Sequence, residues 1–487
     1  MKINSKKYDL SFMKIQNLKI TNFRGIRELD LDFSDRDLVV LVGVNGVGKS
    51  SILDISRILL SYLAEWLNDW QYYSEILSLS TPNVDKPLSL IEKSLYEGQL
   101  AAYQMTKGLE TLEKPDDKIQ KSFDSNFLLP INLHYIDNRS KNLIARISIE
   151  IILGNFKEKI KWGIQTKKSQ NSNILSAKKA LHEINKFTKN KDVLNLDDIN
   201  LPILVYYSVN RAIPNSLLDS PEDSECFLSQ VYHQALTGTN VGFKHFFQWF
   251  KILEDIENEE IRDNPEHRDK KLEAVRSAIY DLVPGFSNLR VRRSPLRMTV
   301  NKNNEELEIN QLSDGEKCLI AMVGDIARRL AIANSNLANP LEGTGVVLID
   351  EIELHLHPQW QKDVIPSLRR TFPNCQFIVT THSPQVVSQV KPENVYILEK
   401  QADNIVVSHP ELSYGREIGQ IVEDVMGGVA RPPEVRDELM QLFQLIEEGN
   451  LDAARQLHEQ ISDKIGADDP QLIKASASIR RREILNR

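Results

Sequence analysis

The chemistry of this chain centres on the segment GVNGVGKS, residues 43–50, which lies between a predicted apolar strand and a predicted helix. Glycines let such a loop wrap closely around phosphate, and backbone N–H groups at the start of a helix attract anions. We expect Lys49 to neutralise charge on the β- and γ-phosphates and Ser50 to ligate Mg²⁺. The other loop residues predicted to contact the nucleotide are Asn45, Gly46, Gly48 and Ser51.

A pair of acidic residues, Asp350 and Glu351, ends the apolar strand GVVLI. A carboxylate at the carboxyl end of a strand can hold Mg²⁺ through water, and a second can polarise the water that attacks a γ-phosphate. We assign the first role to Asp350 and the second to Glu351. Two acids after a buried strand are also an ordinary strand exit, and their combination with the glycine-rich loop favours catalysis.

Two further segments carry groups that suit phosphate. In LSDGEK, residues 312–317, Ser313 and Gly315 stand at the predicted start of a helix, where a hydroxyl, amides and the helix dipole form an anion receptor. An N-cap is predicted at the same place, and the two roles do not compete; Glu316 is included among the predicted nucleotide-binding residues. In FIVTTHSP, His382 follows a strand, where it can donate a hydrogen bond to the γ-phosphate and sense its loss.

The order of these four segments resembles that of the ATP-binding cassette (ABC) ATPases. GVNGVGKS looks like the Walker A loop, LSDGEK the signature, VVLIDE Walker B and THS the switch-histidine loop. NFRG, residues 22–25, resembles the start shared by the SMC, RecF and OLD branch, in which the arginine contacts the nucleotide. The resemblance implies that role for Arg24, and it implies ATP hydrolysis with ATP and Mg²⁺ as cofactors.

The segment DEIELHLHPQWQ, residues 350–361, is similar to the DExELHLHP segment of OLD-like ATPases. Four features resemble the Septu anti-phage ATPases of the PtuA type, some of which are associated with retrons. They are the isoleucine in place of proline, the PQWQ that follows, the YY pair at 206–207 and the NR pair at 210–211. In that family the segment lies at a dimer interface. His355 and His357 could form a metal pair, but their spacing on a loop without other ligands disfavours this.

These segments require a sheet whose strands end at a common edge. Alternating strand and helix patterns in the last third predict a parallel sheet. We expect an α/β fold: an ABC-ATPase head with a mixed or parallel sheet, an antiparallel β-subdomain, a helical insertion and a helical C-terminal tail. The predicted domains are an N-terminal ATPase lobe with Walker A (1–66), the β-subdomain and helical insertion (67–310), a C-terminal ATPase lobe with signature, Walker B and switch histidine (311–400) and a helical partner-binding region (401–487).

Composition narrows the class of protein further. The chain has 487 residues and a net charge of −8, and no apolar run approaches the roughly 18 residues of a membrane helix. Its first residues lack an apolar signal core, and three scattered cysteines fit no disulfide framework. We therefore expect a cytoplasmic protein with no membrane partner.

The resemblance also implies partners. OLD enzymes carry a C-terminal Toprim nuclease, whose arrangement of acids is missing after His382. The Septu resemblance implies instead a separate HNH-type nuclease, controlled by a head-to-tail dimer, or a higher oligomer, that closes on ATP in anti-phage defence. A reverse transcriptase with its RNA/DNA product, and DNA itself, are further candidate partners.

Two alternative functions stay open. The first is a RecF/SMC-like DNA-repair ATPase acting directly on DNA, which the acidic charge and the lack of coiled-coil patterns disfavour. The second is a nucleotide-sensing scaffold that barely hydrolyses ATP.

Two assignments also stay open. The Gln loop of ABC ATPases should lie between residues 51 and 311, where Gln104, Gln165 and Gln170 are candidates. The arginines in 290–297 and 480–482 form either solvated surface, which is favoured, or a contact for nucleic acid or a partner.

Overall fold

The computed structural model describes residues 12–79, 144–153, 158–167, 200–209, 211, 231–238, 243–402 and 404–485. The chain divides into two compact units, Met1–Tyr414 and Gly415–Arg487. Three residues named above, Gln104, Gln170 and Asn210, lie outside the described ranges.

The strands of the first unit are β1 (Met13–Phe23), β2 (Ile26–Asp32), β3 (Leu38–Val42), β4 (Ile144–Leu153), β5 (Glu158–Lys167), β6 (Ile203–Tyr207), β7 (Phe286–Arg293), β8 (Leu296–Lys302), β9 (Glu305–Glu308), β10 (Gly345–Ile349), β11 (Cys375–Thr380), β12 (Val395–Gln401) and β13 (Asn404–Ser408). Its helices are α1 (Lys49–Leu79), α2 (Phe243–Asp263), α3 (Lys270–Leu282), α4 (Asp314–Ala333), α5 (Pro358–Thr371) and α6 (Pro384–Val387). The second unit has α7 (Ile418–Asp424), α8 (Pro433–Glu448), α9 (Leu451–Ile465) and α10 (Pro470–Leu485).

A six-stranded sheet with the order β13-β12-β3-β11-β10-β6 forms the centre of the first unit. Neighbouring strands run parallel except in the β12–β13 hairpin. Strands β3, β6 and β10 are apolar runs whose residues are all buried, as expected for a parallel sheet covered on both faces. Each large apolar side chain so buried contributes about 1.5–3 kcal/mol to folding. The predicted mixed sheet is confirmed.

This strand order positions the predicted site. Because β11 pairs in parallel with both β3 and β10, the carboxyl ends of these three strands meet at one edge of the sheet. The Walker A loop follows β3, the Walker B acids follow β10, and the switch histidine follows β11. Segments that are far apart in sequence therefore converge.

A four-stranded antiparallel sheet, ordered β2-β1-β4-β5, confirms the predicted β-subdomain. On β1 the apolar residues Met13, Ile15, Leu18 and Ile20 are buried, and a register shift between Ile15 and Asn17 explains the break in their alternation. The sheet joins strands from both sides of the predicted boundary at residue 66, and α1 also runs across it. Elements on the two sides of residue 66 thus pack together in one sheet and one helix.

The predicted helical insertion is present as α2 and α3, next to the small antiparallel sheet β7-β8-β9. The arginines of β7 and β8 are paired with acids there: Arg292 with Glu306, Arg293 with Asp255, and Arg297 with Glu308. Exposed and partly exposed ion pairs of this kind contribute little to stability. The acids nevertheless offset the positive charge of these three arginines, which favours the solvated-surface interpretation.

The second unit is helical, as predicted for the C-terminal tail. Helices α8, α9 and α10 share a small core in which Leu442, Ile461 and Leu472 are fully buried. Gly449 ends α8 with a φ of +79°, and the Asn450 side chain caps α9, so the α8–α9 turn has the usual residues at both positions. The helical region begins at Ile418 rather than at 401, because residues 404–408 form β13 of the central sheet.

In the parts of the chain that the structure describes, no helix combines the length and apolar character needed to cross a membrane.

Candidate nucleotide-binding site

The Walker A loop depends on its glycines. A Cβ added to Gly43 would lie 2.5 Å from the carbonyl oxygen of Leu398, so no larger residue fits against β12. Gly46 and Gly48 have φ of +77° and +114°, which residues with side chains rarely adopt. The loop residues exposed to solvent are Val44, Asn45, Gly46 and Ser50, and Ser51 is half-buried.

Lys49 lies beneath this loop and is 6% exposed. Its Nζ donates to the carbonyl oxygens of Gly43 at 2.8 Å and Val44 at 3.2 Å. Burial lowers the pKa of Lys49, and the negative charge of Asp350 opposes that shift. A nearby phosphate oxygen strongly stabilises a cation held in this desolvated position. This fits the predicted role of Lys49 in neutralising phosphate charge.

Ser50 and Asp350 provide a pair of oxygens suited to Mg²⁺. The Ser50 hydroxyl donates to Asp350 Oδ1 at 3.1 Å, and the Thr380 hydroxyl donates to the same oxygen at 2.5 Å. Hydroxyl and carboxylate oxygens are the groups that Mg²⁺ prefers, and a carboxylate can also hold the ion through one of its waters. The two side chains therefore have the chemistry to hold one ion, and Thr380 orients the carboxylate.

Arg211 holds the backbone that carries the two acids. It is 2% exposed; its Nη1 donates to the Asp350 carbonyl at 2.6 Å, and its Nη2 donates to the Glu351 carbonyl. The Glu351 N–H donates to Thr380 Oγ1 at 2.8 Å, and Glu351 has a left-handed φ of +47°. Glu351 is half-buried. Because its N–H and its carbonyl are both hydrogen-bonded, the position from which its side chain projects is fixed.

His382 follows β11 at the same edge and is half-buried. Its backbone N–H donates to Glu353 Oε1 at 2.5 Å, and the Thr381 hydroxyl donates to Glu353 Oε2 at 2.7 Å. Lys49, Ser50, Asp350, Glu351 and His382 all follow strands that end at this edge. Sequence reasoning missed Glu353 and Thr380, although both stand inside the motifs that it singled out.

The signature segment is built as a helix N-terminus. Ser313 is the N-cap of α4, and the Glu316 carboxylate accepts from the Ser313 N–H at 2.9 Å and from its hydroxyl at 2.8 Å. The other Glu316 oxygen pairs with Lys302 at 2.6 Å. Burial raises the pKa of Glu316, but hydrogen bonds from Lys302 and Ser313 outweigh it and the pKa is lowered. Capping is therefore the role seen for Glu316, and its contact with nucleotide stays a prediction.

Ser313 itself is exposed, whereas Gly315 is buried. A Cβ on Gly315 would clash with the carbonyl oxygen of His355, so a glycine is needed for packing within the chain. The signature helix thus touches the segment that follows Walker B, and its N-cap residue, Ser313, is exposed.

Arg24 lies beside the first turns of α1. It forms an ion pair with Asp54, which also accepts from Arg57 Nε at 2.7 Å. Its guanidinium lies 5.7 Å from the centre of the Phe23 ring, and its own φ is +47°. The side chain is therefore near the helix that the Walker A loop opens, and its contact with nucleotide stays a prediction.

The remaining candidates have other surroundings. His357 is the N-cap of α5, where its Nδ1 accepts from the Gln359 N–H at 3.3 Å, and His355 is exposed with a φ of +65°. Among the described residues, no group of three or more His, Cys, Asp or Glu is placed to hold a metal ion. Gln165 lies on β5, and its role as the Gln-loop residue stays open.

Comparison with known proteins shows the family of this chain. The family model described as "AAA domain, putative AbiEii toxin, Type IV TA system" matches residues 38–388. The chain is 30% identical to the Retron Ec83 probable ATPase of Escherichia coli, over 99% of this chain and 89% of that relative. It is 27% identical to a Septu protein PtuA of Bacillus thuringiensis, over 51% of this chain and 64% of the relative.

Among solved structures, an Smc head bound to the C-winged helix domain of ScpA aligns with 81% of this chain and 97% of its own, at 15% identity and a TM-score of 0.38.

The predicted resemblance to Septu and retron ATPases is confirmed by these relatives, and the enzyme is an ATPase. The residues matched by the family model include the Walker A and Walker B motifs, the signature and the switch histidine. The chain belongs to this AAA-domain family, together with the Retron Ec83 probable ATPase.

Proposed function

We propose that two copies of this ATPase close head-to-tail on two ATP molecules and reopen after hydrolysis, and that this cycle controls a separate HNH-type nuclease in anti-phage defence. One observation carries the dimer proposal. The Walker A, Walker B and switch residues converge at one sheet edge. Ser313, the remaining residue predicted to bind phosphate, is exposed and is hydrogen-bonded within its own helix turn. An exposed serine at a helix N-terminus is suited to bind the nucleotide of a second copy.

The residues divide the work of hydrolysis. Lys49 neutralises phosphate charge, and the Walker A amides hold the phosphates. Ser50 and Asp350 would hold Mg²⁺, and the ion would supply positive charge against the phosphate oxygens. Glu351 accepts a proton from the attacking water, and His382 donates a hydrogen bond to the γ-phosphate. Arg24 contributes a further contact to the nucleotide, as in the SMC, RecF and OLD branch that it resembles.

The head-to-tail arrangement is testable by mixing two inactive variants. Lys49→Met disables the chain's own ATP site, whereas Ser313→Arg disables what the chain offers to another copy. In a mixed dimer, one site keeps the wild-type Lys49 and receives a wild-type Ser313. We expect an equimolar mixture to recover about one quarter of wild-type ATP hydrolysis, because half of randomly paired dimers are mixed and each has one intact site.

Each variant alone should be nearly inactive, and a mixture of Lys49→Met with Glu351→Gln is the matched control. Both of these changes damage only the chain's own site, so no intact site forms in any dimer. Hydrolysis by the first mixture no faster than the sum of its components would reject sharing of the site. Mixing must include a step that separates and re-forms dimers.

The proposed control of a partner nuclease rests on resemblance to other proteins. The resemblance to Septu suggests an HNH-type nuclease, and the relative named for a retron suggests a reverse transcriptase with its RNA/DNA product; DNA is a further candidate. We assign partner binding to the helical C-terminal region, whose surface includes the exposed apolar residues Met440 and Ile473.

Removal of residues 415–487 tests this assignment. The second unit has its own core, so ATP binding by the shortened chain should be unchanged while co-purification of the nuclease is lost. Retention of the nuclease by the shortened chain would place docking elsewhere.

A further inference from the structure

We infer that Glu353 is a positioning residue for ATP hydrolysis. It holds residues 381–383, the switch turn, so that His382 can contact the γ-phosphate. This inference rests on the role proposed above for His382. Glu353 lies in the segment of residues 350–361, and the sequence motifs assign it no role of its own. Its function would be to act through His382, without touching nucleotide itself.

The two oxygens of the Glu353 carboxylate each accept one hydrogen bond from consecutive residues of the switch turn. Oε1 accepts from the backbone N–H of His382 at 2.5 Å, and Oε2 accepts from the hydroxyl of Thr381 at 2.7 Å. Bonds to an ionised acceptor are short and strong, and a two-point contact fixes orientation as well as position. The backbone from which the imidazole projects is therefore held by one side chain.

The segment that carries Glu353 is itself fixed. The Ile352 N–H donates to the Thr380 carbonyl at 3.0 Å, which ties the segment to the end of β11. The Leu354 and Leu356 N–H groups close two successive turns onto the carbonyls of Glu351 and Glu353, each at 2.9 Å. Glu353 thus reaches the switch turn from a rigid base directly after the Walker B acids.

The surroundings of the turn add to this constraint. Thr381 is fully buried, and its Oγ1 also accepts from the Ser383 N–H at 3.0 Å. The Ser383 hydroxyl in turn caps α6 through the Val386 N–H at 3.2 Å. The turn is held on one side by its own caps, and on the other side by Glu353, which comes from a different segment of the chain.

Glu353→Ala and Glu353→Gln test the inference together. Alanine removes both hydrogen bonds, and we expect kcat to fall about 100-fold, the size of effect caused by misplacing a catalytic group by about 1 Å. Glutamine keeps an amide oxygen for the His382 N–H, so it should restore kcat to within about tenfold of wild type. The Kd of a fluorescent ATP analogue should change little in both, because neither variant alters Lys49 or the Walker A loop, which provide most of the contacts to the phosphates.

A double-mutant cycle separates positioning from general damage. His382→Ala alone should lower kcat about 100-fold or more, as loss of a donor to a developing charge does. Adding Glu353→Ala to it should cause no further loss, because there is no imidazole left to position. Glu411→Gln, at an exposed position of the same unit, is the matched control and should hydrolyse ATP at the wild-type rate.

The outcomes are distinct. Additive losses in the cycle, or wild-type kcat in Glu353→Ala, would overturn the inference while leaving the role of His382 intact. Wild-type kcat in His382→Ala would overturn that role and this inference with it. If Glu353→Ala does not fold, Glu353→Gln carries the same cycle, and its smaller loss must vanish in the His382→Ala background.

Discussion

Glu351→Gln is expected to lower kcat for ATP hydrolysis by at least about 100-fold, because an amide cannot accept the proton of the attacking water. The side chain keeps its size, and the backbone of the residue is held by two hydrogen bonds: its N–H donates to Thr380 Oγ1, and its carbonyl accepts from Arg211. ATP binding should therefore be preserved. In the proposed cycle this variant accumulates as a closed dimer in ATP and Mg²⁺, since it reaches the closed state and cannot leave it by hydrolysis.

Steady-state phosphate release and light scattering measure the two parts of this prediction. Glu411→Gln, which removes an exposed carboxylate elsewhere in the unit, should match the wild type in both. Equal, near-zero rates for the wild type and Glu351→Gln would instead favour a nucleotide-sensing scaffold. Fast hydrolysis by both would mean that another group activates the water.

Lys49→Met is expected to weaken ATP binding by at least about 100-fold, because the ammonium that neutralises the phosphates is lost. Without nucleotide, the thermal stability of this variant should change little, since an apolar chain of similar length replaces a desolvated cation. The rise in Tm that ATP gives to the wild type should disappear. Titration of a fluorescent ATP analogue and thermal unfolding, each with and without ATP, provide the measurements.

The lowered pKa of Lys49 adds a dependence on pH. Its folded-state pKa lies below the ordinary value of 10.5, so between these two values the unfolded chain binds more protons and this residue's contribution to stability rises with pH. Bound phosphate favours the ammonium, so ATP affinity should fall as pH rises through the lowered pKa. Calorimetry in buffers of different ionisation enthalpy should then detect proton uptake on binding. Lys49→Met should show neither effect, and the same uptake in that variant would assign it to another group.

Much of the site followed from sequence because its chemistry lies in short segments. A glycine-rich loop after LVVLV, two acids after GVVLI and a histidine after FIVTT each combine a buried strand with the polar residues that follow it. Since parallel strands expose their carboxyl ends at one edge, the placement of these groups could be predicted without knowing the strand order. The parallel pairing of β11 with both β3 and β10 confirms that reasoning.

The supporting residues could not be predicted in this way. Arg211 reaches the Asp350 carbonyl across 139 positions of sequence, and Thr380 reaches the Asp350 carboxylate across 30. No local pattern shows which of many arginines or threonines will meet a given carbonyl or carboxylate. The domain boundaries were equally hard to predict, because strands from different predicted domains pair with each other. β1 pairs with β4 across the boundary at residue 66, and β6 pairs with β10 across the boundary at residue 310.

The sharing of each ATP site between two copies is tested most directly by the structure of Glu351→Gln with ATP and Mg²⁺. The account predicts a closed dimer in which Ser313 Oγ of the partner subunit lies within hydrogen-bond distance, about 2.7–3.0 Å, of a γ-phosphate oxygen held by Lys49. If ATP and Mg²⁺ fill the Walker A site and Ser313 stays remote from the γ-phosphate in every assembly formed, the account is contradicted.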